Sequence, residues 1–393
     1  MRRRTPLAWK NLTNEPRRLM IAVAGVGFAV LLMFIEVGFL NALLDSTVQV
    51  LRCLRGELVI VSRTKFAMAA RERFDARRVY QASGCPGVES VYPIYMETMG
   101  AVLRRGDARP ASRGYPIRVF ASRPDDHVWL LPAVGENSPR LRQPGTALFD
   151  EASRKQYGLP HRLPDLAKCE TELAGQRVRF VGTFYLGVDF TNDGNVIMTA
   201  DNFARYFPYR SRGMNPLSVV DLALVKIRPG VSWRTVQADL QQRLPDDVRV
   251  FAKSAFIQNE KDFWSTSTPV GYIFFVGAVV GFVVGVIICY QIIYADITDH
   301  IPEFATLKAM GYRTPYFFQL VLAQAAYLSL FGFVPGCLVS AGIYALLARI
   351  TGLTMQMNLV TTLGIFVATW CMCTISGLLA VRKLLSADPA SLF

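Results

Sequence analysis

The run VGYIFFVGAVVGFVVGVIICYQII, Val270–Ile293, decides the architecture of this chain. It contains no charged side chain over 24 residues. An α-helix rises about 1.5 Å per residue, so a helix of this length crosses the ~30 Å hydrocarbon core of a bilayer. The run therefore predicts a membrane-spanning helix.

Three further apolar runs have the same character. They predict membrane spans at 19–41, 316–347 and 359–381, beside the span at 266–294 that contains the first run. The 393-residue chain is 52% hydrophobic with a mean hydropathy of +0.27, which is too apolar for an ordinary soluble protein. The predicted fold class is an α-helical integral membrane protein with four transmembrane helices.

A long polar segment, residues 42–265, separates the first two spans. It contains 32 Lys and Arg against 24 Asp and Glu, so it carries +8 of the formal net charge of +13. This positive surface attracts an anionic lipid headgroup or an acidic partner, or is merely solvated. Its clearest pattern is a strand at 219–227, a helix at 232–244 and a strand at 248–252. The segment predicts a large α+β extracytoplasmic domain, with a helical stalk at 256–264.

The charges at the two ends of the chain predict its orientation. Arginine and lysine cluster in the N-terminal segment 1–18 and in the C-terminal tail 382–393, and positive segments face the cytoplasm. With four spans both ends lie on one side, so residues 42–265 and the short loop 348–358 face the periplasm. The loop 295–315 then faces the cytoplasm. A cleaved signal peptide is the competing interpretation of the first span, whose apolar run exceeds a typical signal-peptide core.

Motifs of enzyme active sites and metal sites are absent from the sequence. There is no G-x-x-x-x-G-K-[ST], H-E-x-x-H, C-x-x-C or G-x-S-x-G pattern, so the chain has no P-loop of its own. His127, His161 and His300 lie far apart, without ligand spacing. A disulfide between Cys85 and Cys169 and two free thiols are open alternatives. We therefore expect that this chain is not an enzyme, that it binds no metal or cofactor, and that it has no nucleic-acid partner.

Two features of the predicted spans indicate close packing or function. Gly277, Gly281 and Gly285 leave one face of the second span without side chains, so this face packs on another span of this chain or on a second copy. Glu36 is the one acidic residue inside any predicted span. It lies near the outer end of the first span, where its carboxylate reaches water or caps the start of the outer domain. A functional role for this acid is the alternative.

The loop between the second and third spans, YADITDHIPEFATLKAMGYRTP, encodes a short helix. Pro302 suits the first position of a helix, and Gly311 suits the position after the last turn. A helix from Pro302 to Met310 is about 13 Å long. Either it docks on a partner, or it lies on the membrane surface and covers the bundle. The candidate docking residues are Pro302, Glu303, Phe304, Leu307, Lys308 and Gly311.

The sequence of this loop resembles that of a known family. HIPEFATLKAMGY, His300–Tyr312, is similar to the coupling-helix motif of the FtsX/MacB family of ABC transporter permeases, the type VII class. That motif combines an acid with L-[RK]-A-x-G, which Glu303 and Leu307–Gly311 match. The similarity is greatest to the DevC permeases, known from heterocyst glycolipid export, and it extends to residues 5–34 and 381–393.

The resemblance implies both the partners and the function of this chain. A bacterial inner-membrane permease of this family forms a homodimer and binds a separate ABC ATPase, which holds the ATP and Mg²⁺. Its coupling helix transmits ATP-driven motion to the periplasmic domain, a process called mechanotransmission. With an adaptor and a TolC-like outer-membrane channel it forms a tripartite efflux exporter for a lipid-like or amphiphilic substrate such as a glycolipid, in contact with membrane lipid. The alternative is an FtsX-like signalling anchor that activates a periplasmic hydrolase.

Overall fold

A computed structural model of the chain describes residues 16–105, 114–160, 162–211, 213, 215–301, 306, 310–311, 314–351 and 355–386. The chain divides into two compact units. The membrane unit comprises Met1–Ala42, Pro269–Ile350 and Met355–Phe393. The outer unit comprises Leu43–Thr268 with Thr351–Thr354.

The helices fall into a few long ones and several short ones. In chain order the described α-helices are α1 (Pro16–Arg52), α2 (Arg77–Ser83), α3 (Pro132–Glu136), α4 (Ser138–Leu141), α5 (Leu163–Leu166), α6 (Ala200–Tyr206), α7 (Trp233–Arg243), α8 (Lys253–Thr266), α9 (Pro269–Asp299), α10 (Thr314–Thr351) and α11 (Leu359–Ser386). Short 3₁₀ turns lie at Lys155–Tyr157, Pro208–Ser211 and Pro216–Ser218.

Helices α1, α9, α10 and α11 are long and apolar enough to cross a membrane. They confirm the predicted membrane fold with four spans and a sheet-rich domain between the first and second. Helix α9 begins at Pro269, a residue suited to the first helical position, and both Asp296 and Asp299 belong to it. Helix α1 continues to Arg52, past the predicted end of the span at residue 41, because the polar residues that follow the apolar run are still compatible with a helix.

The outer unit is built on one large mixed sheet. The strands are β1 (Leu58–Ser62), β2 (Phe74–Asp75), β3 (Val88–Glu97), β4 (Val102–Arg105), β5 (Tyr115–Pro116), β6 (Arg118–Ser122), β7 (Thr146–Asp150), β8 (Thr171–Leu173), β9 (Gln176–Phe184), β10 (Asn195–Thr199), β11 (Val219–Val220), β12 (Leu222–Ile227) and β13 (Val248–Ala252). Eleven of them follow the order β13-β1-β12-β3-β6-β10-β7-β9-β8-β4-β5, and β11 pairs with β2. The β10–β6 and β7–β9 pairs are parallel.

Two hydrophobic cores cover the two faces of this sheet. Successive residues of a strand point to opposite faces, so Val196 and Met198 of β10 enter one core while Ile197 enters the other. The central strands β1, β6, β7 and β10 are buried along their whole length. This double burial explains why their sequences are nearly continuous apolar runs rather than alternating ones.

The predicted strand–helix–strand unit at 219–252 is a split one. Strand β1 lies between β12 and β13 and pairs antiparallel with both, so those two strands run parallel to each other. The connection through α7 therefore skips one strand position. The sequence pattern identified the three elements but contained no signal for the strand between them.

Two predicted strands are each divided in the structure. The β-branched and aromatic run VESVYPIYMETMGAVL at 88–103 predicts one strand, but it forms β3, which ends at Glu97, and β4, which starts at Val102 in another part of the sheet. The run at 219–227 is interrupted at Asp221, whose carboxylate accepts hydrogen bonds from the Met96 N–H (2.8 Å) and from Arg73 Nε (3.1 Å). A buried carboxylate with these donors breaks the regular ladder, which a propensity argument does not detect.

Candidate functional site

The glycine face of α9 lies against other spans of the same chain. A Cβ atom added at Gly281 would lie 3.5 Å from the Leu32 Cβ atom of α1. One added at Gly285 would lie 2.8 Å from the Ala29 Cβ atom and would also meet Met372 of α11. The missing side chains thus admit α1 and α11 within the membrane unit, while a role for these glycines in dimerisation stays a prediction.

Glu36 lies directly opposite Gly277, the first glycine of this face in the sequence. A Cβ atom at Gly277 would lie 2.6 Å from the Glu36 Oε2 atom, so the carboxylate occupies space that any other residue at 277 would need. The intramembrane acid therefore packs against bare backbone of α9. The two sequence interpretations of Glu36 both remain predictions.

A second close crossing, between α1 and α10, was missed by the sequence argument. A Cβ atom added at Gly336 would lie 2.9 Å from the Gly27 carbonyl oxygen. Another glycine, Gly332, meets Val26 in the same way. The signal was present, because Gly332 and Gly336 have the same four-residue spacing as the glycines of α9.

Hydrogen bonds between spans add directional contacts to this packing. The Ser376 hydroxyl of α11 donates to the Val286 carbonyl of α9 at 2.8 Å. The Asn41 amide donates to the Thr361 hydroxyl oxygen at 3.1 Å. The Tyr344 hydroxyl donates to the Phe34 carbonyl. Each bond satisfies a polar group that has no water partner in a bilayer, so the four spans form a specific bundle.

A polar cluster closes the end of the membrane unit where α9 stops. Arg18 of α1 pairs with Asp299, and the Gln324 amide of α10 donates to the Asp296 carboxylate at 3.1 Å. His300 Nδ1 lies 3.8 Å from a carboxylate oxygen of Asp296. Three spans are thus joined at the point where the chain enters the loop that carries the candidate docking residues.

That loop lies largely outside the described residues. Pro302, Glu303, Phe304, Leu307 and Lys308 are among those that the structure does not describe. The described residues within 302–311 are Thr306, Met310 and Gly311. The Met310 N–H donates to the Thr306 carbonyl at 3.0 Å, and Gly311 has a φ of +93°, the left-handed conformation that glycine adopts most readily.

In the outer unit, helix α8 contains the predicted stalk at 256–264. Its Glu260 is 1% exposed and accepts hydrogen bonds from the Met68 N–H at 2.7 Å and from Trp264 Nε1 at 2.9 Å. Burial raises the pKa of the Glu260 carboxyl above its usual value, although these donors favour the charged form. Lys261 of the same helix pairs with Asp45 at 2.7 Å. The stalk helix is therefore fixed to the outer unit by buried and charged contacts.

Residues 275–389 match the family described as FtsX-like permease C-terminal. The chain contains an FtsX-like permease domain. The domain spans most of α9, the loop, α10 and α11, and it confirms the resemblance to ABC permeases of the FtsX/MacB type. It does not test the DevC subfamily, and no curated protein matches the chain.

Two solved structures are similar to about half of the chain. The periplasmic region of MacB from Actinobacillus actinomycetemcomitans has 12% identity and a TM-score of 0.36, over 53% of this chain and 94% of that chain. The extracellular domain of the noncanonic ABC-type transporter YknZ from Gram-positive bacteria has 13% identity and a TM-score of 0.34, over 50% and 98%.

Three of the four apolar helices lie largely within the FtsX-like permease domain, and this arrangement fits a multi-pass inner-membrane protein that works with an ABC ATPase. Permeases of this family are transporter subunits and generally not enzymes. Among the described residues, no group of three or more His, Cys, Asp or Glu side chains could hold a metal ion.

All seven cysteines are free thiols, and Cys85 and Cys169 donate to the carbonyls of Gln81 and Asp165 instead of forming the disulfide that the sequence left open.

Proposed function

We propose that this chain is the permease subunit of an ABC-type tripartite exporter. It transmits the ATP-driven motion of a separate ATPase to its periplasmic domain and so expels a lipid-like or amphiphilic substrate. The adaptor and a TolC-like outer-membrane channel complete the path, and both chain termini lie in the cytoplasm. The observation that carries this proposal is the FtsX-like permease domain at 275–389, which encloses the loop with the coupling-helix motif.

The order of elements along the chain supports mechanical transmission. The docking residues lie between α9 and α10, and two residues connect α8 to α9 in the sequence. A displacement of the docking helix passes along α9 to α8, whose buried Glu260 holds the segment around Met68. Such transmission requires no polar path through the bilayer. The four spans agree with this, because each contains an 18-residue apolar window with at most two charged residues.

A homodimer of this permease would use a face other than the glycine face of α9. The glycines meet α1 and α11 of the same chain. Elsewhere α9 carries large apolar side chains that are more than half exposed and can contact lipid or a second copy; they are Tyr272, Ile273, Phe275, Val276 and Val280. Such a face is typical of a surface that lipid or another span covers in the membrane.

The docking step is tested by Leu307→Asp in the full chain, reconstituted with its ATPase in lipid nanodiscs. An unpaired charge in an apolar docking groove is costly, so we expect ATPase binding and stimulation to fall by about tenfold or more. Gln356→Asp, which adds the same charge at an exposed position between α10 and α11, is the matched control. Normal binding and stimulation by the correctly inserted Leu307 variant would show that the docking assignment is wrong.

A further inference from the structure

A cavity of about 410 Å³ opens in the outer unit beside the parallel strand pair β6 and β10. The carboxyl ends of both strands, at Ser122 and Thr199, contribute to its wall, and α3 with the segment before it forms the other side. Ligands of open sheets bind in the crevice outside the carboxyl ends of parallel strands. The volume is within the usual range of small-molecule sites.

The neutral polar groups on the cavity wall are already used within the protein. Trp129 Nε1 donates to the Ser122 hydroxyl oxygen at 3.1 Å, and the Ser138 hydroxyl donates to the Pro124 carbonyl at 3.5 Å. The Thr199 hydroxyl oxygen accepts from the Asn202 N–H at 3.4 Å. The Trp129 ring therefore offers a ligand only its apolar surface, and polar recognition falls to the charged side chains.

Those charged side chains are two arginines. Arg55 is exposed, and its guanidinium makes no hydrogen bond or ion pair with any residue that the structure describes. Arg123 makes one side-chain hydrogen bond, to the Tyr80 hydroxyl at 3.1 Å, which leaves further N–H donors. Neither Asp nor Glu occurs among the described residues that line the cavity, and nearby Asp125 pairs with Arg142. The cavity wall thus carries two arginines and no carboxylate, with the charge of nearby Asp126 acting on Arg123, and this arrangement suits an anion.

The backbone at the rim is held in an uncommon conformation. His127 has a φ of +42°, in the left-handed region that residues other than glycine rarely adopt. It lies between Arg123 and Trp129 in the chain and also lines the cavity. Strained residues of this kind persist where the surrounding structure fixes them, and they cluster at ligand sites.

The rest of the wall is apolar, which decides between a free anion and an amphiphile. Leu130 is 50% exposed and Leu131 and Val134 are half-buried, so these side chains offer apolar surface, whereas Val128, Trp129 and Ile197 are 8% exposed or less. A small inorganic anion needs donors and gains nothing from such a wall, whereas an alkyl chain gains about 25 cal/mol for each Å² of apolar surface removed from water.

We propose that this cavity binds the end of an anionic amphiphile, a phosphate, sulfate or carboxylate followed by an alkyl chain. The anionic group pairs with Arg55 and Arg123, and the chain lies along Leu130 and Leu131, next to Trp129. The inference that this cavity contacts the exported substrate rests on the exporter function proposed above. The cavity narrows the proposed substrate class from amphiphiles in general to anionic amphiphiles.

Quenching of tryptophan fluorescence by a brominated alkyl phosphate, added to the full chain in phosphatidylcholine nanodiscs, tests this site. We expect saturable quenching that Trp129→Phe removes, which separates it from quenching of the other four tryptophans. Arg55→Gln and Arg123→Gln should each weaken the apparent affinity by about tenfold. Arg77→Gln, which removes an equal charge from an exposed position outside the cavity, should leave it unchanged. Tyr80→Phe, which keeps the Arg123 charge, should change it little.

Four results would overturn the proposal. They are the absence of quenching that depends on Trp129, equal binding by the Arg55 and Arg77 variants, equal quenching by a neutral brominated alkyl glucoside, and full competition by inorganic phosphate at the same concentration. The last result would assign the site to a free phosphate. Because this binding assay contains no ATPase, its failure is distinguishable from failure of the Leu307 test of coupling.

Discussion

Gly336 of α10 packs directly on the backbone of Gly27 in α1, and a Cβ atom at position 336 would lie 2.9 Å from the Gly27 carbonyl oxygen. From the other side, a Cβ atom at Gly27 would lie 3.4 Å from the Gly332 carbonyl oxygen. Spans of a membrane protein associate through close packing rather than a hydrophobic drive, so a crossing of bare backbones is a main source of bundle stability.

Gly336→Ala is therefore expected to lower the stability of the membrane unit. The new methyl group meets a carbonyl oxygen and the Cβ atom of Val30, neither of which can rotate away, so the helices must separate. We expect a loss of about 1–3 kcal/mol, measured as the unfolding midpoint of the full chain in detergent. Gly342→Ala is the matched control in the same helix, because its Cβ atom would meet no atom within 4 Å. Equal midpoints for the two variants would refute a tight crossing at Gly336.

Substitutions at Gly281 should show a graded response. An alanine Cβ atom there would lie 3.5 Å from the Leu32 Cβ atom, an ordinary van der Waals distance. The free energy of unfolding of Gly281→Ala should therefore lie within about 0.5 kcal/mol of that of the parent chain. Gly281→Leu overfills the contact with α1 and should disturb packing and transport. Unfolding midpoints and transport assays of both variants check this. If the leucine variant retained full stability and transport, the glycine face of α9 would be incidental.

Features with a local signal in the sequence were predicted, and features that depend on contacts between distant parts of the chain were not. Membrane spans are local, because each run such as Val270–Ile293 contains its own hydropathy signal, and the four spans were predicted correctly. The run NVIMT also predicts a strand at 195–199, and β10 has these bounds, since a β-branched run between loops suffices. The cavity was not predictable, because it depends on the pairing of Arg118–Ser122 with Asn195–Thr199, far apart in the chain. No spacing rule places Arg55 beside Arg123.

Asp126 should make the stability of the outer unit depend on pH. Burial raises the pKa of this carboxyl from 3.8 to about 6, helped by the like charge of Asp125, while Arg123 and His127 oppose the rise. A raised carboxyl pKa means that the folded state binds the proton more tightly than the unfolded state. Stability from this group is therefore complete below about pH 4 and is lost as the pH rises through 6.

Asp126→Asn removes that titration. The variant should melt at a higher temperature than the parent chain above pH 6, and the difference should vanish near pH 4. Thermal unfolding midpoints between pH 4 and 8 measure it. Asp125→Asn serves as control, since the Asp125 side chain is 75% exposed. A difference between parent and Asp126→Asn that stays constant with pH would contradict the raised pKa.

Glu260 should control the local stability of the segment around Met68. Glu260→Ala leaves the Met68 N–H and Trp264 Nε1 without their acceptor, and an unpaired buried donor costs about 1–3 kcal/mol. We expect faster hydrogen exchange over residues 63–70, measured by mass spectrometry of the full chain. Glu260→Gln keeps one acceptor oxygen and no longer buries a charge, so its effect should be smaller. Asp262→Ala, on the exposed side of the same helix, is the control. If exchange in the Glu260→Ala chain matched that control, the carboxylate would not be what holds this segment to the stalk helix.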